Sequence, residues 1–280
     1  AFRRALKAVE PEPGGQVPVL PLVLGGDDFT ALCAGRVALG LAASFLGAFE
    51  EEAAKPIPPV GDIVGEVAER AFRARRLAAS AGVALVKSHF PFYGAYNLAE
   101  ELLSEAKAVR RRVKGSRDEE IPCSALNFHV LEAASGAELK LIRENRRSRD
   151  GECDLWGGPY VITPVDHLGP LVDPQWVSDR AWERLEERAA LVTRTDEEGR
   201  RLLPSSNLHE LRSALFEGKG VADSVLRLAL PRYGRRGLDK LAESEGATAS
   251  LFRGEPDDGT ARTRYVTSFL DALEVSELRG

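Results

Sequence analysis

The sequence predicts an α+β protein: a first domain over 1–145, with a small sheet covered by helices, and a smaller, mainly helical C-terminal domain over 146–280. Three observations carry this reading. The first half orders its apolar patterns as helix, hairpin, helix, strand, helix, strand. A charged, loop-like stretch, Asn145 to Asp154, follows and marks a boundary. Beyond it the patterns are those of helices, over Pro174 to Val192, Asn207 to Phe216 and Gly220 to Leu230.

Phe2, Ala5, Leu6 and Val9 fall on one face, so Phe2 to Val9 reads as the end of an amphipathic helix. Val17 to Leu24 is almost wholly apolar, as expected of a strand buried on both faces. Pro18 and Pro21 sit poorly in a central strand and predict an irregular start or an edge position. Gly25 and Gly26 turn the chain and Phe29 to Ala34 returns, a hairpin with acidic residues at its tip. In Arg36 to Glu52, Val37, Leu41, Phe45 and Phe49 recur every fourth position, a helix. Lys55 to Gly61 is a proline-rich linker, and a second helix is expected over Ile63 to Arg75. Gly82 to Val86 reads as a strand. Pro91, whose missing N–H costs nothing at a helix start, opens a helix with Leu98, Leu102, Ala106 and Val109 on one stripe. Arg110, Arg111, Arg112 and Lys114 suit its C-terminal end. Ala125 to Ala133 alternates as another strand.

A chain of 280 residues is long enough for a sizeable core. A net charge of −5 argues against a protein that coats nucleic-acid duplexes, though not against a local nucleotide site. Cys33, Cys123 and Cys153 are odd in number and form no CxxC pair, so neither a disulfide framework nor a structural zinc site is expected. The longest apolar stretch, Leu39 to Phe49, is too short to span a bilayer, and no signal-peptide pattern is present. A cytoplasmic location without membrane partners is the expectation. The absence of Met, and an Ala1 already inside a helical pattern, read as a piece of a longer protein.

The chemistry concentrates in Gly25-Gly26-Asp27-Asp28. Nucleotidyl transfer needs positioned phosphates and divalent metal ions to neutralise developing charge. Adjacent aspartates point to opposite sides of an extended strand, but a bend at the glycines can turn both toward one metal. Glycine also lets a flat base or a ribose approach the backbone without a Cβ clash. The plain alternative is a type I′ turn with solvent-exposed aspartates.

The chain resembles the palm domain of the CRISPR polymerase, the large subunit of type III CRISPR effector complexes and its minimal stand-alone relatives, cousins of the GGDEF cyclases. The likeness runs through Val17 to Asp28, Ser80-Ala81-Gly82-Val83-Ala84-Leu85-Val86-Lys87, Pro91, Ala99 to Lys107 and Asn127-Phe128-His129-Val130. It extends to Pro159-Tyr160 and Ser268 to Glu274, is good over the first half and thin in the remainder. It implies a ferredoxin-like palm, completed by one strand ahead of Ala1 that carries a further metal-binding aspartate. It implies conversion of ATP into cyclic oligoadenylates with magnesium or manganese, for antiviral defence. Asp27 and Asp28 would be the catalytic metal ligands. Gly25 and Gly26 would line base and ribose, Ser80 would help hold the base, and Lys107 would contact triphosphate oxygens, with Lys87 a further phosphate contact. No His-Asp dipeptide occurs, so the nuclease domain of the large relatives is absent.

The partners expected are a nucleoside triphosphate, a second palm in a homodimer or in the same protein, and RNA or CRISPR-type proteins. A non-catalytic palm that binds nucleotide or RNA and scaffolds an effector complex is the alternative function. A diguanylate cyclase is a third reading, with Asp28 where that family carries Glu. His89, His129, His167 and His209 lack metal-ligand spacing, and His129 reads as a strand histidine. Cys33 reads as a buried thiol, and Trp156, Trp176 and Trp182 as packing anchors.

Overall fold

The computed structural model describes residues 1–11, 15–25, 28–56, 61–73, 75–131, 138–245, 248–256 and 263–279. In chain order the elements are α1 (Phe2–Lys7), β1 (Val19–Gly25), β2 (Asp28–Cys33), α2 (Gly35–Ala53), α3 (Ile63–Phe72), β3 (Ser80–Leu85), α4 (Phe92–Ala108), β4 (Ala125–Val130), α5 (Leu139–Asn145), β5 (Cys153–Asp154) and β6 (Tyr160–Val161). There follow α6 (Pro174–Asp179), α7 (Trp182–Thr193), α8 (Ser205–Glu217), α9 (Lys219–Tyr233), α10 (Leu238–Leu241), β7 (Glu243–Glu245), β8 (Thr248–Ser250), β9 (Arg253–Pro256), β10 (Thr263–Val266) and α11 (Phe269–Arg279). The fold is α+β. It divides into two compact units: Ala1–Ala137 with Pro159–Ala181, and Glu138–Gly158 with Trp182–Gly280.

In the first unit β1 and β2 pair antiparallel as a separate two-stranded sheet. β3 pairs parallel with β4, and β6 adds antiparallel to β4. The stripe expected on α4 is its buried face: Leu98, Leu102, Ala106 and, just past the helix, Val109 are all buried. Burial of each leucine contributes about 2 kcal/mol. A Cβ on Gly82 of β3 would fall inside van der Waals contact of the Ala99 carbonyl and the Leu103 backbone, so the missing side chain is what lets α4 lie this close to the strand. Glu50, near the end of α2, accepts the Ser124 N–H at 3.1 Å and the Thr163 hydroxyl, which clips α2 to the start of β4 and the end of β6.

Three expectations are corrected here. β1 is exposed on both faces rather than buried, with Leu20 and Leu24 each 60 % accessible. The proline signal, not the apolar run, describes it: β1 is an edge strand whose register with β2 slips between Pro21 and Val23. The helix expected over Pro174 to Val192 is two helices, because the Arg180 carbonyl turns out of the helix to accept the Val161 N–H at 2.7 Å. The segment 159–181 lies in the first unit and 138–158 in the second, so a single cut at 145/146 does not describe the division. The ladder of β4 with β6 draws the chain back.

The second unit packs α7, α8, α9 and α11 around a core that includes Leu155, Leu211, Leu215, Leu226, Phe252 and Phe269. It is not purely helical. β5 runs parallel to β10, which pairs antiparallel with β9, and β7 and β8 form a small hairpin. Trp156 is the packing anchor expected, with the Arg143 guanidinium 4.6 Å above its ring. Asp271 accepts the Gly157 N–H at 2.7 Å, and Arg146 pairs with both Asp271 and Glu274. No described helix is long and apolar enough to cross a membrane.

Candidate functional site

Gly25 and Asp28 stand directly opposite one another where β1 and β2 close, so Asp28 is the first residue of a paired strand rather than part of an open loop. Gly26 and Asp27 lie outside the described residues. Asp28 is exposed, and the space where a Cβ of Gly25 would stand is open to at least 4 Å. Behind Asp28 the hairpin is anchored by aromatics. The Phe29 ring stacks on Phe45 of α2 at 4.7 Å and meets Phe2 of α1 at 5.0 Å. Such pairs contribute about 1 kcal/mol each beyond their buried area.

Between β2 and β3 lies a cleft of about 320 Å³. Residues Phe29 to Cys33 form one wall and Ala79 to Val86 the other, with α2 and α4 contributing Leu41, Phe45, Ala99 and Leu103. Gly35, just past β2, abuts Leu85 at the end of β3. Ser80, the first residue of β3, lines the cleft, while Asp28 lies just before the first lining residue of β2, Phe29.

The remaining predicted residues separate by position. α4 returns antiparallel to β3, with Ala99 and Leu103 beside Gly82, so Lys107 lies a turn further on, toward the Ser80 end. Lys87 follows β3 at its opposite end, about 23 Å from Ser80 along an extended strand. Both lysines are exposed and neither lines the cleft. Ser80 and Lys107 thus share an end of β3 that Lys87 does not, and the influence of Asp28 is felt at Tyr96 of α4.

Tyr96 and Glu100 of α4 line the same cleft and were not singled out from the sequence. The Glu100 carboxylate beside Tyr96 is the main influence raising the phenol above its ordinary range, with partial burial and the Asp28 carboxylate adding to it. Carboxylates from two elements therefore act on one hydroxyl at the rim. The signal in sequence is the one-turn spacing of Phe92, Tyr96 and Glu100, off the Leu98–Leu102 stripe. Hard carboxylate oxygens suit magnesium or manganese. Among the described residues no group of three or more His, Cys, Asp or Glu is placed to hold a metal ion. His129 is buried within β4 as expected, whereas Cys33 is only half-buried, with burial still pushing its thiol up. No protein-family model matches the sequence, and no curated protein matches it either.

Proposed function

We propose that the chain is a palm-type, metal-dependent nucleotidyltransferase that joins ATP into cyclic oligonucleotides serving as an antiviral defence signal. One observation carries the reading. Asp28 heads a paired strand opposite the open space over Gly25, and the cleft that begins at the next residue, Phe29, is lined on its other side by Ser80. The antiparallel β1–β2 hairpin that carries the acidic residues supports a palm reading, whereas the β3–α4–β4 unit, whose neighbouring strands run parallel, is an addition to the split β-α-β pattern of a ferredoxin-like fold.

In this reading the bare backbone at Gly25 and Gly26 accepts a flat base or ribose. The Ser80 hydroxyl donates to or accepts from the base edge, and Lys107 balances triphosphate charge as a mobile point cation. Asp27 and Asp28 would hold magnesium or manganese, which supplies charge neutralisation at the phosphates when bound. A ribose hydroxyl of one ATP forms a bond to the α-phosphorus of another. Pyrophosphate leaves with the electron pair of the broken P–O bond, and the hydroxyl proton passes to solvent.

The test is incubation with α-labelled ATP and magnesium or manganese, with candidate RNA activators supplied. Labelled cyclic or linear products that disappear in Asp28→Ala support the reading. ATP binding measured by calorimetry, with no product under any condition, would instead make the chain a nucleotide-binding palm that scaffolds a CRISPR-type effector complex. Preferential turnover of GTP would make it a diguanylate cyclase. Failure to bind any nucleotide sinks all three.

A further inference from the structure

Several exposed arginines of the second unit find acids. Arg149 pairs with Glu217 at 2.7 Å, Arg200 with Asp196 at 3.1 Å and Arg212 with Glu277 at 4.0 Å. The latter half of α9 and the chain just after it depart from that pattern. Arg227, Arg232, Arg235, Arg236 and Lys240 are all exposed, and none of them makes an ion pair among the described residues. Between Arg227 and Lys240 the sequence holds one carboxylate, Asp239, whose Oδ1 accepts the Lys240 N–H at 2.9 Å. Arg227 donates to a neutral group, the Ser224 hydroxyl, at 3.0 Å. Arg232 and Arg236 rest on the ring of buried Tyr233, their guanidinium carbons 5.3 and 5.7 Å from its centre. The shared ring keeps two like charges close together and orders both side chains before any ligand arrives, which lowers the cost of binding one.

Cations are favoured at a helix C-terminus, and that accounts for Arg232. It does not account for Arg227, which lies before the last turn, or for the scarcity of acids along the row. A chain of net charge −5 that keeps such a row concentrates positive charge in one place, and the complementary ligand is a polyanion. Guanidinium forks fit phosphate oxygens in pairs. Leu228 is 82 % exposed but stands between arginines, unlike the apolar centre of a protein interface. Tyr233 is buried and offers no face on which a base could stack. Arg227 to Arg236 spans about 14 Å at helical rise, a narrow row that suits one backbone rather than a duplex. We propose that α9 and the turn after it bind a single nucleic-acid strand through its phosphates, without reading bases or sugars. The inference stands on the second unit alone and does not rest on the nucleotidyltransferase reading.

The test therefore uses no ATP and no metal. The full chain is titrated into fluorescein-labelled RNA and DNA strands of mixed sequence, about twelve nucleotides long, and anisotropy is followed at several salt concentrations. The expected result is a Kd on the order of 10 μM at about 50 mM salt, equal for RNA and DNA, weakening with a log–log salt slope of about 3. The variant Arg227→Gln with Arg235→Gln spares the arginines on Tyr233. It is expected to bind at least roughly tenfold more weakly, with the slope reduced by about 1.4. Arg110→Gln with Arg111→Gln, at the end of α4, is expected to change neither quantity. Unchanged binding in the α9 variant overturns the proposal, as does the absence of binding at about 200 μM protein. Tighter binding of a duplex of the same sequence overturns the single-strand assignment. Displacement of the strand by polyglutamate of equal length and at equal concentration would make the row a surface for an acidic polypeptide instead.

Discussion

Glu274 sits inside the second unit, paired through one carboxylate oxygen with Arg146, while its Oε2 finds no hydrogen-bond partner among the described residues. Burial raises its pKa from the ordinary 4.5 to about 7, with Arg146 and Arg212 pulling it down and Asp271 pushing it up. A carboxyl that binds its proton more tightly when folded contributes stability that is complete below the unfolded value and lost as pH rises through the folded one. The second unit is therefore expected to lose about 3 kcal/mol of stability between pH 4.5 and pH 8 from this group. Urea unfolding followed by tryptophan fluorescence at several pH values should show that decline in the native chain and a decline smaller by about that amount in Glu274→Gln, with the buried Asp154 carboxyl, also shifted up by burial, leaving a residual slope. An unchanged slope in the variant would assign the pH dependence elsewhere. Gly82 makes the opposite kind of demand, for nothing at all. A methyl there meets the Ala99 carbonyl and the Leu103 backbone, with the Leu103 Cα at 3.0 Å. Backbone cannot step aside as a side chain can, so Gly82→Ala is expected to cost about 3 kcal/mol in the first unit, read from the urea midpoint. The Ser-x-Gly pattern was visible in the sequence as a strand start, but the reason for the glycine belongs to a helix seventeen positions further along and needed the structure.

At the scale of elements, what was legible depended on where each element finds its partners. The α4 stripe could be read directly, because a helix satisfies its own backbone and only its apolar face reports the neighbours. β1 misled, since an apolar run is ambiguous between a buried strand and an edge left uncovered, and only Pro18 and Pro21 argued for the edge. β5, β9 and β10 escaped notice because they are two to four residues long, and β5 exists only through pairing with β10 more than a hundred positions away, Cys153 against Tyr265. Tyr96 and Glu100 were passed over because an amphipathic helix already accounted for the segment. The clip at Glu50 was equally hidden, since its partners Ser124 and Thr163 are remote in sequence. Its Oε1 accepts from both, so Glu50→Ala is expected to lose about 2 kcal/mol. The loss should fall mainly on protection of α2 and the start of β4 in hydrogen exchange. Thr163→Val should cost less, because the Ser124 N–H keeps Glu50 as a partner. Equal losses in the two variants would mean that the hydroxyl, not the carboxylate, holds these elements together.

For the whole molecule, each unit is built from two stretches of chain and carries its own core, and the acidic glycine hairpin occurs once in the 280 residues. The proposed reaction joins two nucleotides, and each needs phosphates held beside carboxylates. One copy of the chain supplies one such set, so synthesis requires a second palm facing the first. If that second palm is another copy of this chain, activity per mole of protein rises with protein concentration and reaches a plateau only when the chain is fully paired. Mixing also discriminates. Native chain combined with an excess of Asp28→Ala forms mixed pairs with one intact set, and activity is expected to fall well below that of the same native chain alone, since native–native pairs become rare. Product formation that stays proportional to the native chain, with no effect of the added variant, would mean that a single copy suffices. The second palm would then have to come from elsewhere in a larger protein, and dilution of the 280-residue chain would leave its specific activity unchanged.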